Sequence, residues 1–594
     1  MPKKNVDRRS FVKGAALAAL APVAQAALTP TAQAAPAAPA AHKWDKEADV
    51  VVIGSGAAGL PAAIIAKENG AAVILVEANR DIGGHAALCT GNIPLGGGTK
   101  AQKDAGVVDT PDDIFRDMTD WSVVESDGAA PYRYYDRDIV RAFADHNVFV
   151  FDFLVAHGVV FTTPGLDRSR PGAGVPRVMH IAAMDWPQIQ TGRPVDPAVQ
   201  KTTSAGIGLV RPLEAAARKA GVQILLKHKM TSLIRDDNNA GRVVGISVEA
   251  NGAKLNIRAR KGVIICTGGH SSNVNFRRIF DPRFTEEYCG VAGEPYTFQD
   301  ASGEIAAMAV GASLWGTANQ TGESGGLSGG SIFRAGYIGT QYGYPSMFPT
   351  WQPTSEYFHL VRATGLQVHD YQNVIQVNQL GSRFYSEVRS GFGFGGASNY
   401  VPGSWRNAAN VKWNPNDYIN AALGLNGGTG NGGGPIWSIF DADAVKRETW
   451  IVEPPYVDKE QGFFFVANTI AELAACISKN KYQKNPITAQ ALQDTVTRYN
   501  SFVDAGKDTD FDKPTPKYKI QTAPFYAAWS TPVVHDSLCG LRVNAHNQVQ
   551  GMDGKVIPGL YCAGESAGGF SMHGIARCIT GGLIAGRTAA AEKV

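Results

Sequence analysis

The sequence predicts an α/β protein built around a dinucleotide-binding βαβ unit, and three adjoining features carry that prediction. Residues 50–53 (VVVI) are a short β-branched run of the kind a buried parallel strand shows. Gly54-Ser55-Gly56-Ala57-Ala58-Gly59 follows directly, and residues 60–67 then read as a helix that Gly70 ends. Residues 72–76 form a second apolar run, which Glu77 closes eighteen residues after Gly59.

Each position has a physical task. Gly54 permits the turn, Gly56 lets backbone amides approach a pyrophosphate, and Gly59 lets helix and strand pack closely. Ala57 and Ala58 keep the turn small, and the helix N-terminus after them offers partial positive charge to the phosphates. Glu77, with Ala78 beside it, is placed to accept ribose hydroxyls. An acid rather than an arginine there selects an unphosphorylated ribose, which FAD and NAD share. A glycine-rich turn alone is usually a loop; strand, helix, second strand and terminal acid in order make this one specific.

The first forty residues are set aside from the fold. They run from a basic start through Arg8-Arg9-Ser10-Phe11-Val12-Lys13 into an Ala/Leu stretch and small residues. This resembles a bacterial twin-arginine export signal, cleaved after Ala26 or Ala34, and implies a periplasmic protein. Elsewhere no run of 18 or more continuous apolar residues occurs, so no stable membrane insertion is expected.

Residues 1–40 hold five of the 56 Lys/Arg and one of the 53 Asp/Glu, leaving 51 basic against 52 acidic side chains, a formal charge of −1. The apparent basicity belongs to the signal, and nothing argues for a nucleic-acid partner. Sixty-seven glycines in 594 residues imply many tight turns or close backbone approaches. The seven cysteines include no CxxCH and no paired CxxC, which excludes c-type haem attachment and the usual zinc and iron–sulfur spacings; no metal site is expected. Cys266, Cys562 and Cys578 lie in apolar or glycine-rich contexts and read as buried structural thiols, with one or two disulfides as the alternative.

From residue 79 onward the chain resembles the flavoprotein subunits of fumarate reductase and succinate dehydrogenase. The resemblance rests on NRDIGGHAALCTGNIPLGGGTK (79–100), KGVIICTGGHSSN (261–273), FQDASGEIAAMAVGASL (298–314), VNQLGSRFYSE (377–387), ANTIAELA (467–474) and IPGLYCAGESAGG (557–569). It implies FAD as cofactor and a Rossmann-like FAD-binding domain in two segments, residues 46–355 and 533–594, interrupted by an α+β capping domain at 356–532. FAD contacts are then expected from Gly84, His85, Ala86, Gly91, Asp300, Gly564, Glu565 and Thr580, with Glu565 on the ribityl chain. In the succinate dehydrogenase-like members a histidine joins FAD covalently, and His85 stands at the matching place before Gly91 and Ile93. A covalent bond and a plain contact with the isoalloxazine are the two alternatives.

The resemblance also speaks to GGFSMHGIARCITGG (568–582). Its HGxxR pattern, His573 to Arg577, matches an arginine that binds a substrate carboxylate in the relatives. A guanidinium among small neighbours independently suits planar, bidentate recognition. The bland alternative makes Arg577 a helix cap or an ion-pair partner.

Two departures exclude fumarate as the expected substrate. Gly391 stands where the relatives' proton-donating arginine falls, with Arg389 two residues early, and Gln367 and Asp370 replace the upstream glutamate and arginine of that relay. The paired histidines before the GG turn become His535-Asp536, and an acid there would repel a dicarboxylate. The expected function is hydride exchange between flavin N5 and a CH–CH or C=C bond beside a carboxylate or carbonyl in a small-molecule substrate. Arg577 would stabilise the enolate-like charge, and Arg389, Tyr385 or Tyr400 would exchange the proton. Without haem or iron–sulfur ligands, electrons pass to or from a separate partner or oxygen. The rivals are a 3-oxosteroid-type ketone dehydrogenase, which shares the fold and uses tyrosines, and a non-catalytic flavin electron carrier. Glycine- and aromatic-rich stretches at 325–351 and 389–405 hint at a substrate larger than succinate, and 426–434 reads as a surface loop.

Overall fold

A computed structural model describes residues 42–120, 135–162, 166, 174–186, 202–237, 241–280, 285–288, 297–316, 326–327, 330–333, 337–339, 366–384, 386–388, 435–531, 533–570, 572 and 574–593. The export signal, Tyr385, Arg389, Tyr400, His573 and most of the glycine- and aromatic-rich stretches fall outside these residues.

In chain order, the elements that position the site begin with β1 (Lys46–Ile53), α1 (Gly59–Glu68), β2 (Val73–Glu77), α2 (Arg137–Ala156) and α3 (Ala205–Ala220). Strands β3 (Gln223–Leu226), β4 (Lys229–Arg235), β5 (Val243–Ala250) and β6 (Ala253–Ile265) follow, then helices α4 (Val274–Phe280) and α5 (Ser302–Ala309). An insert holds β7 (Ile375–Val377), β8 (Trp437–Asp441), β9 (Phe464–Ala467), α6 (Ile470–Ile477), α7 (Ala489–Ala505) and β10 (Phe525–Trp529). The chain returns through β11 (Val533–Ser537), β12 (Gln548–Gln550) and β13 (Val556–Cys562) to α8 (Ile575–Ala591).

The principal sheet runs β12-β13-β6-β1-β2-β3, with β5 and β4 added to β6 in antiparallel fashion. Strands β13, β6, β1, β2 and β3 are parallel neighbours, so the distant end of the chain lies beside the first βαβ unit. Val50 and Val52 of β1 belong to one apolar core and Val51 and Ile53 to another, as expected of a strand covered on both faces. The sequence reading of 211–252 as a helix followed by strands corresponds to α3 and β3–β5.

The small residues of α8 have a packing reason. A Cβ at Gly582 would lie 2.2 Å from the Ala58 carbonyl oxygen, and one at Gly586 2.4 Å from that of Ala62. Helix α8 therefore seats two glycines, one turn apart, on the start of α1.

The insert has its own antiparallel sheet, β7-β8-β10-β9. Trp437 and Trp529 meet edge-on at 5.5 Å in a core that α6 and α7 cover. Helix α6 starts at a capping box between Thr469 and Glu472; α7 starts at Thr488 and ends at Gly506, whose φ of 65° stops it. The neighbouring apolar cluster takes in Ile338, which precedes residue 356, together with Leu366, Phe440 and Tyr526. Among the described residues, no helix is long and apolar enough to cross a membrane.

Candidate active site

The turn after β1 is closed on one side and open on the other. A Cβ on Gly54, whose φ is 96°, would meet the Cys266 carbonyl oxygen at 2.3 Å, because the ends of β1 and β6 touch there. A Cβ on Gly59 would lie 1.9 Å from the Gly54 oxygen. At Gly56 the nearest protein atom to such a Cβ is the Gly83 oxygen at 3.7 Å, and at Gly84 nothing stands within 4 Å. Gly54 and Gly59 are thus fixed by packing, while the backbone at Gly56 and Gly84 faces free space. That space, at the N-terminus of α1, fits a dinucleotide pyrophosphate.

Glu77 ends β2 as expected, but it is already engaged. Its Oε2 accepts from the Ser55 amide at 2.9 Å and the Ser55 hydroxyl at 2.6 Å, and its Oε1 accepts from the Asn79 amide at 2.8 Å. The Ser55 hydroxyl in turn accepts from the Gly83 amide at 3.0 Å. Ser55, passed over in the sequence reading, ties the turn to the second strand. A carboxylate offers about four lone-pair positions, so Glu77 keeps capacity for a ribose hydroxyl. Ala78 beside it is exposed, and Ala57 and Ala58 are buried.

A second group of side chains gathers from three distant segments. The Nδ1 of His85, on the short 3₁₀ helix Gly84–Leu88, lies 3.3 Å from Glu565 Oε1, both side chains being 14% exposed. Glu565 Oε2 accepts from the Gln299 amide nitrogen at 2.8 Å and from the Ser537 backbone amide at 3.3 Å. Gln299 also donates to the Gly268 carbonyl at 2.5 Å, and its own carbonyl accepts from the Ser271 hydroxyl at 2.5 Å. The structure therefore brings His85 and Glu565, both expected from the sequence, together with a glutamine that was not. The available signal was its place, one residue before Asp300 in a segment already singled out.

Other expected cofactor residues have structural work. Asp300 accepts from Lys229 at 2.8 Å and from the Ser302 amide at 3.0 Å. Burial pushes its carboxyl up, but these partners outweigh that and hold it below the usual range. A Cβ on Gly91 would strike Ala205 at 2.3 Å, so packing against α3 is enough to require that glycine. Ala86 is buried, and the Thr580 hydroxyl donates back to the Ala576 carbonyl at 2.8 Å within α8. Gly564 lies against Ala58, 3.1 Å from its Cβ to the one a side chain would add.

Arg577 sits in the first turn of α8 and is only 6% exposed. It donates to the Phe570 carbonyl and to the Ser537 carbonyl, each at 2.9 Å. Its Nε has no protein partner. The side chain lines a cleft, open to solvent, with Gly564, Gly568, Phe570, Asn547 and Thr580. Ser537 joins the two groups, since its amide reaches Glu565 and its carbonyl holds Arg577. His535 and Asp536 lie on β11 two residues and one residue earlier; their side chains are outside the described residues.

The VNQLGSRFYSE segment serves the insert's interior. Arg383 donates to both oxygens of Glu387 at 2.9 Å and to Asp508 at 2.9 Å, and Lys513 lies 3.3 Å from Glu387. Burial alone would raise the Glu387 carboxyl, but Arg383 and Lys513 hold it at about 2. For Lys513 burial outweighs Glu387 and pushes the ammonium down to about 8, so Arg383 is the principal counter-charge.

Cys266, Cys562 and Cys578 are buried, and burial raises the thiols of Cys266 and Cys562 well above the ordinary value. Among the described residues no cluster of His, Cys, Asp or Glu is arranged to hold a metal ion.

Known proteins agree with this architecture. The chain is 27% identical to the acrylate reductase flavoprotein subunit of Shewanella woodyi over 98% of each chain. It is 25% identical to the NADH:acrylate oxidoreductase of Vibrio harveyi over 88% of this chain, but it spans only 48% of that protein's length. In fold it is similar to the crystal structure of 3-ketosteroid delta1-dehydrogenase from Sterolibacterium denitrificans, at 19% identity and a TM-score of 0.60, covering 92% of this chain and all of that one. The profile of the FAD binding domain family matches residues 49–583. Its cofactor is FAD, and the chain belongs to the FAD binding domain family.

Proposed function

We propose that this protein interconverts C=C and CH–CH bonds next to a carboxylate or carbonyl, acting on an enoate other than fumarate. Supporting this reading are the acrylate-directed relatives over nearly the full chain and the departures at Gly391 and Asp536. One observation carries it: Arg577 is a buried guanidinium, braced on two carbonyls, with its Nε unpartnered beside a cleft that reaches Gly564.

FAD, when bound, supplies the two-electron exchange. The open amides at Gly56 and Gly84 would hold its pyrophosphate, Glu77 its ribose, and Glu565 with His85 its inner portion. Arg577 is held rigidly enough to fix a substrate carboxylate or polarise a carbonyl without reorganising. Tyr385, Arg389 and Tyr400 are the proposed proton carriers, and His573 would help orient the substrate. A separate protein, small carrier or oxygen exchanges electrons with the enzyme. We also propose periplasmic placement, from Arg8-Arg9 and the apolar stretch behind them. Replacing both arginines by lysine should retain the protein in the cytoplasm.

Photoreducing the purified yellow protein without oxygen and adding candidate substrates one at a time tests the reading. Acrylate-like enoates should restore the oxidised spectrum and fumarate should not. Restoration by none of them, with cyclic 3-ketones instead bleaching the oxidised protein anaerobically and reducing an artificial acceptor once it is added, would favour the steroid-type rival. An Arg577→Ala protein with every activity intact would leave only an electron carrier.

A further inference from the structure

The least expected pair in the principal domain lies behind the site. His270 and Glu304 are both fully buried, and His270 Nδ1 stands 3.7 Å from Glu304 Oε1. That is beyond a direct hydrogen bond, which needs about 2.7–3.2 Å. Neither ring nitrogen of His270 and neither oxygen of Glu304 meets a protein donor or acceptor. The imidazole is stacked on Phe280 and tilted on Phe276, each at 5.1 Å between centroids. Leaving four polar atoms dry in such surroundings would cost several kcal/mol, on the order of 1–3 for each group.

A water touching His270 Nδ1 and Glu304 Oε1 would satisfy the two atoms that approach each other but stand too far apart for a direct bond.

The pair also sits where two segments are laced together. The Ala301 amide donates to the Gly269 carbonyl at 3.1 Å and the Ser272 amide to the Gln299 carbonyl at 3.0 Å. The Gln299 amide donates to the Ser272 hydroxyl at 3.1 Å, and the Asn273 side chain to the Asp300 carbonyl at 3.0 Å. Across this lacing the turn's outer edge is held as well, with the His270 amide on the Ser537 hydroxyl at 2.8 Å and the Gly269 amide on the Ser566 hydroxyl at 3.0 Å. Glu304 lies on the inner side of this lacing, in the first turn of α5 and five residues after Gln299, whose side chain reaches Glu565 and His85.

We propose that His270 and Glu304 form a buried positioning pair, joined through one internal water, which fixes the Gly268–Gly269 turn and sets the Gln299 side-chain amide against Glu565 and His85. The proposal rests on the cofactor reading for its consequence and on the protein's own geometry for the pair. Burial, and after it the nearby Glu304, raises the Cys562 thiol well above its ordinary value, so the cysteine stays neutral and adds no competing charge.

The test compares His270→Phe, Glu304→Leu and the double substitution, with Glu304→Gln as the conservative variant. Each single apolar change should lower the melting temperature, and the double should regain most of the loss, because two apolar groups leave no buried group unpaired. FAD affinity of the stripped protein should behave differently: about tenfold weaker in both singles and still weakened in the double, with Glu304→Gln nearest to the wild type. The midpoint potential of bound FAD should shift alongside the affinity. A crystal structure should show a water within about 3.2 Å of both side chains.

Full recovery of affinity and potential in the double overturns the positioning role, as do singles indistinguishable from the wild type. A direct contact with no water overturns the bridge. Wild-type protein that takes up no FAD overturns the proposed function instead, while stability and crystallography still decide the pair.

Discussion

The nucleotide turn allows protein packing and cofactor binding to be separated by single methyl groups. In Gly59→Ala the new carbon would sit 1.9 Å from the Gly54 oxygen and 2.9 Å from its carbonyl carbon, both backbone atoms. Restoring ordinary contact needs a displacement of about 1.5 Å where α1 leaves the turn, and close-packed interiors resist that, at about 3 kcal/mol or more. In Gly56→Ala the carbon lies 3.7 Å from the Gly83 oxygen, an ordinary contact, and Gly56 has no left-handed φ to strain. The folded chain should tolerate it or gain about 0.4–1 kcal/mol through a less flexible unfolded state. The methyl would instead hold phosphate oxygens off the amides. Losing one charge-assisted hydrogen bond there costs about 1.5–3 kcal/mol, or roughly 10- to 150-fold in Kd. The assay is FAD titration by flavin fluorescence, paired with thermal unfolding of FAD-free protein. Gly59→Ala should melt several degrees lower without cofactor, and Gly56→Ala should melt normally and bind weakly. A Gly56→Ala protein with wild-type FAD affinity would refute the assignment of that open space to the pyrophosphate.

Three further perturbations address the rest of the site. Arg577→Ala removes two charge-assisted bonds to buried carbonyls, worth about 1.5–3 kcal/mol each, so it should lower stability as well as reduce turnover at least 100-fold; Arg577→Lys should recover much of the stability and little of the turnover, read from melting curves and steady-state rates. Glu387 is held at about 2 against an ordinary value near 4.5, so its contribution, on the order of 3 kcal/mol, is complete above pH 4.5 and lost as pH falls towards 2. Melting curves of Glu387→Gln across pH 3–7 should be lower at neutral pH and flatter on the acid side, and parallel curves would contradict the charge cluster. Acid precipitation decides between the two alternatives at His85: FAD left in the supernatant means a plain contact, and colour in a washed pellet, abolished by His85→Ala, means a covalent bond through the ring nitrogen that does not face Glu565.

The βαβ unit was legible because its signals are local: a β-branched run, glycines at fixed spacing and an acid at the strand end all lie within residues 50–77. His85 and Glu565 were legible only through resemblance, since no local rule joins residues so far apart in the chain. Gln299 was missed because an amide carries no charge to mark it, and the charged neighbour Asp300 drew attention while its carboxylate serves Lys229 and the start of α5. Ser55 was missed for a related reason: inside a glycine fingerprint it reads as a spacer, yet its hydroxyl is what binds Glu77 to the turn. His270 and Glu304 gave no signal at all, because a histidine after two glycines and a glutamate in a first helical turn are both ordinary surface choices, and only their full burial makes them unusual.

The C-terminal run of small residues turns out to answer two demands that meet in one helix. Gly582 and Gly586 press α8 onto Ala58 and Ala62, so the helix carrying Arg577 is seated directly on the turn proposed to hold the pyrophosphate. At its other end Arg577 grips the Ser537 carbonyl, and Ser537 donates to Glu565. The proposed nucleotide and substrate ends are therefore fixed to one rigid element rather than to separate loops. A larger side chain at Gly582 would have to lift α8 off the Ala58 backbone, which moves the guanidinium and the phosphate turn together. Binding of FAD and correct placement of Arg577 should then fail jointly in Gly582→Ala, while Arg577→Lys, which leaves the helix seated, should lose turnover and keep FAD. A Gly582→Ala protein impaired in only one of the two would show that α8 does not couple them.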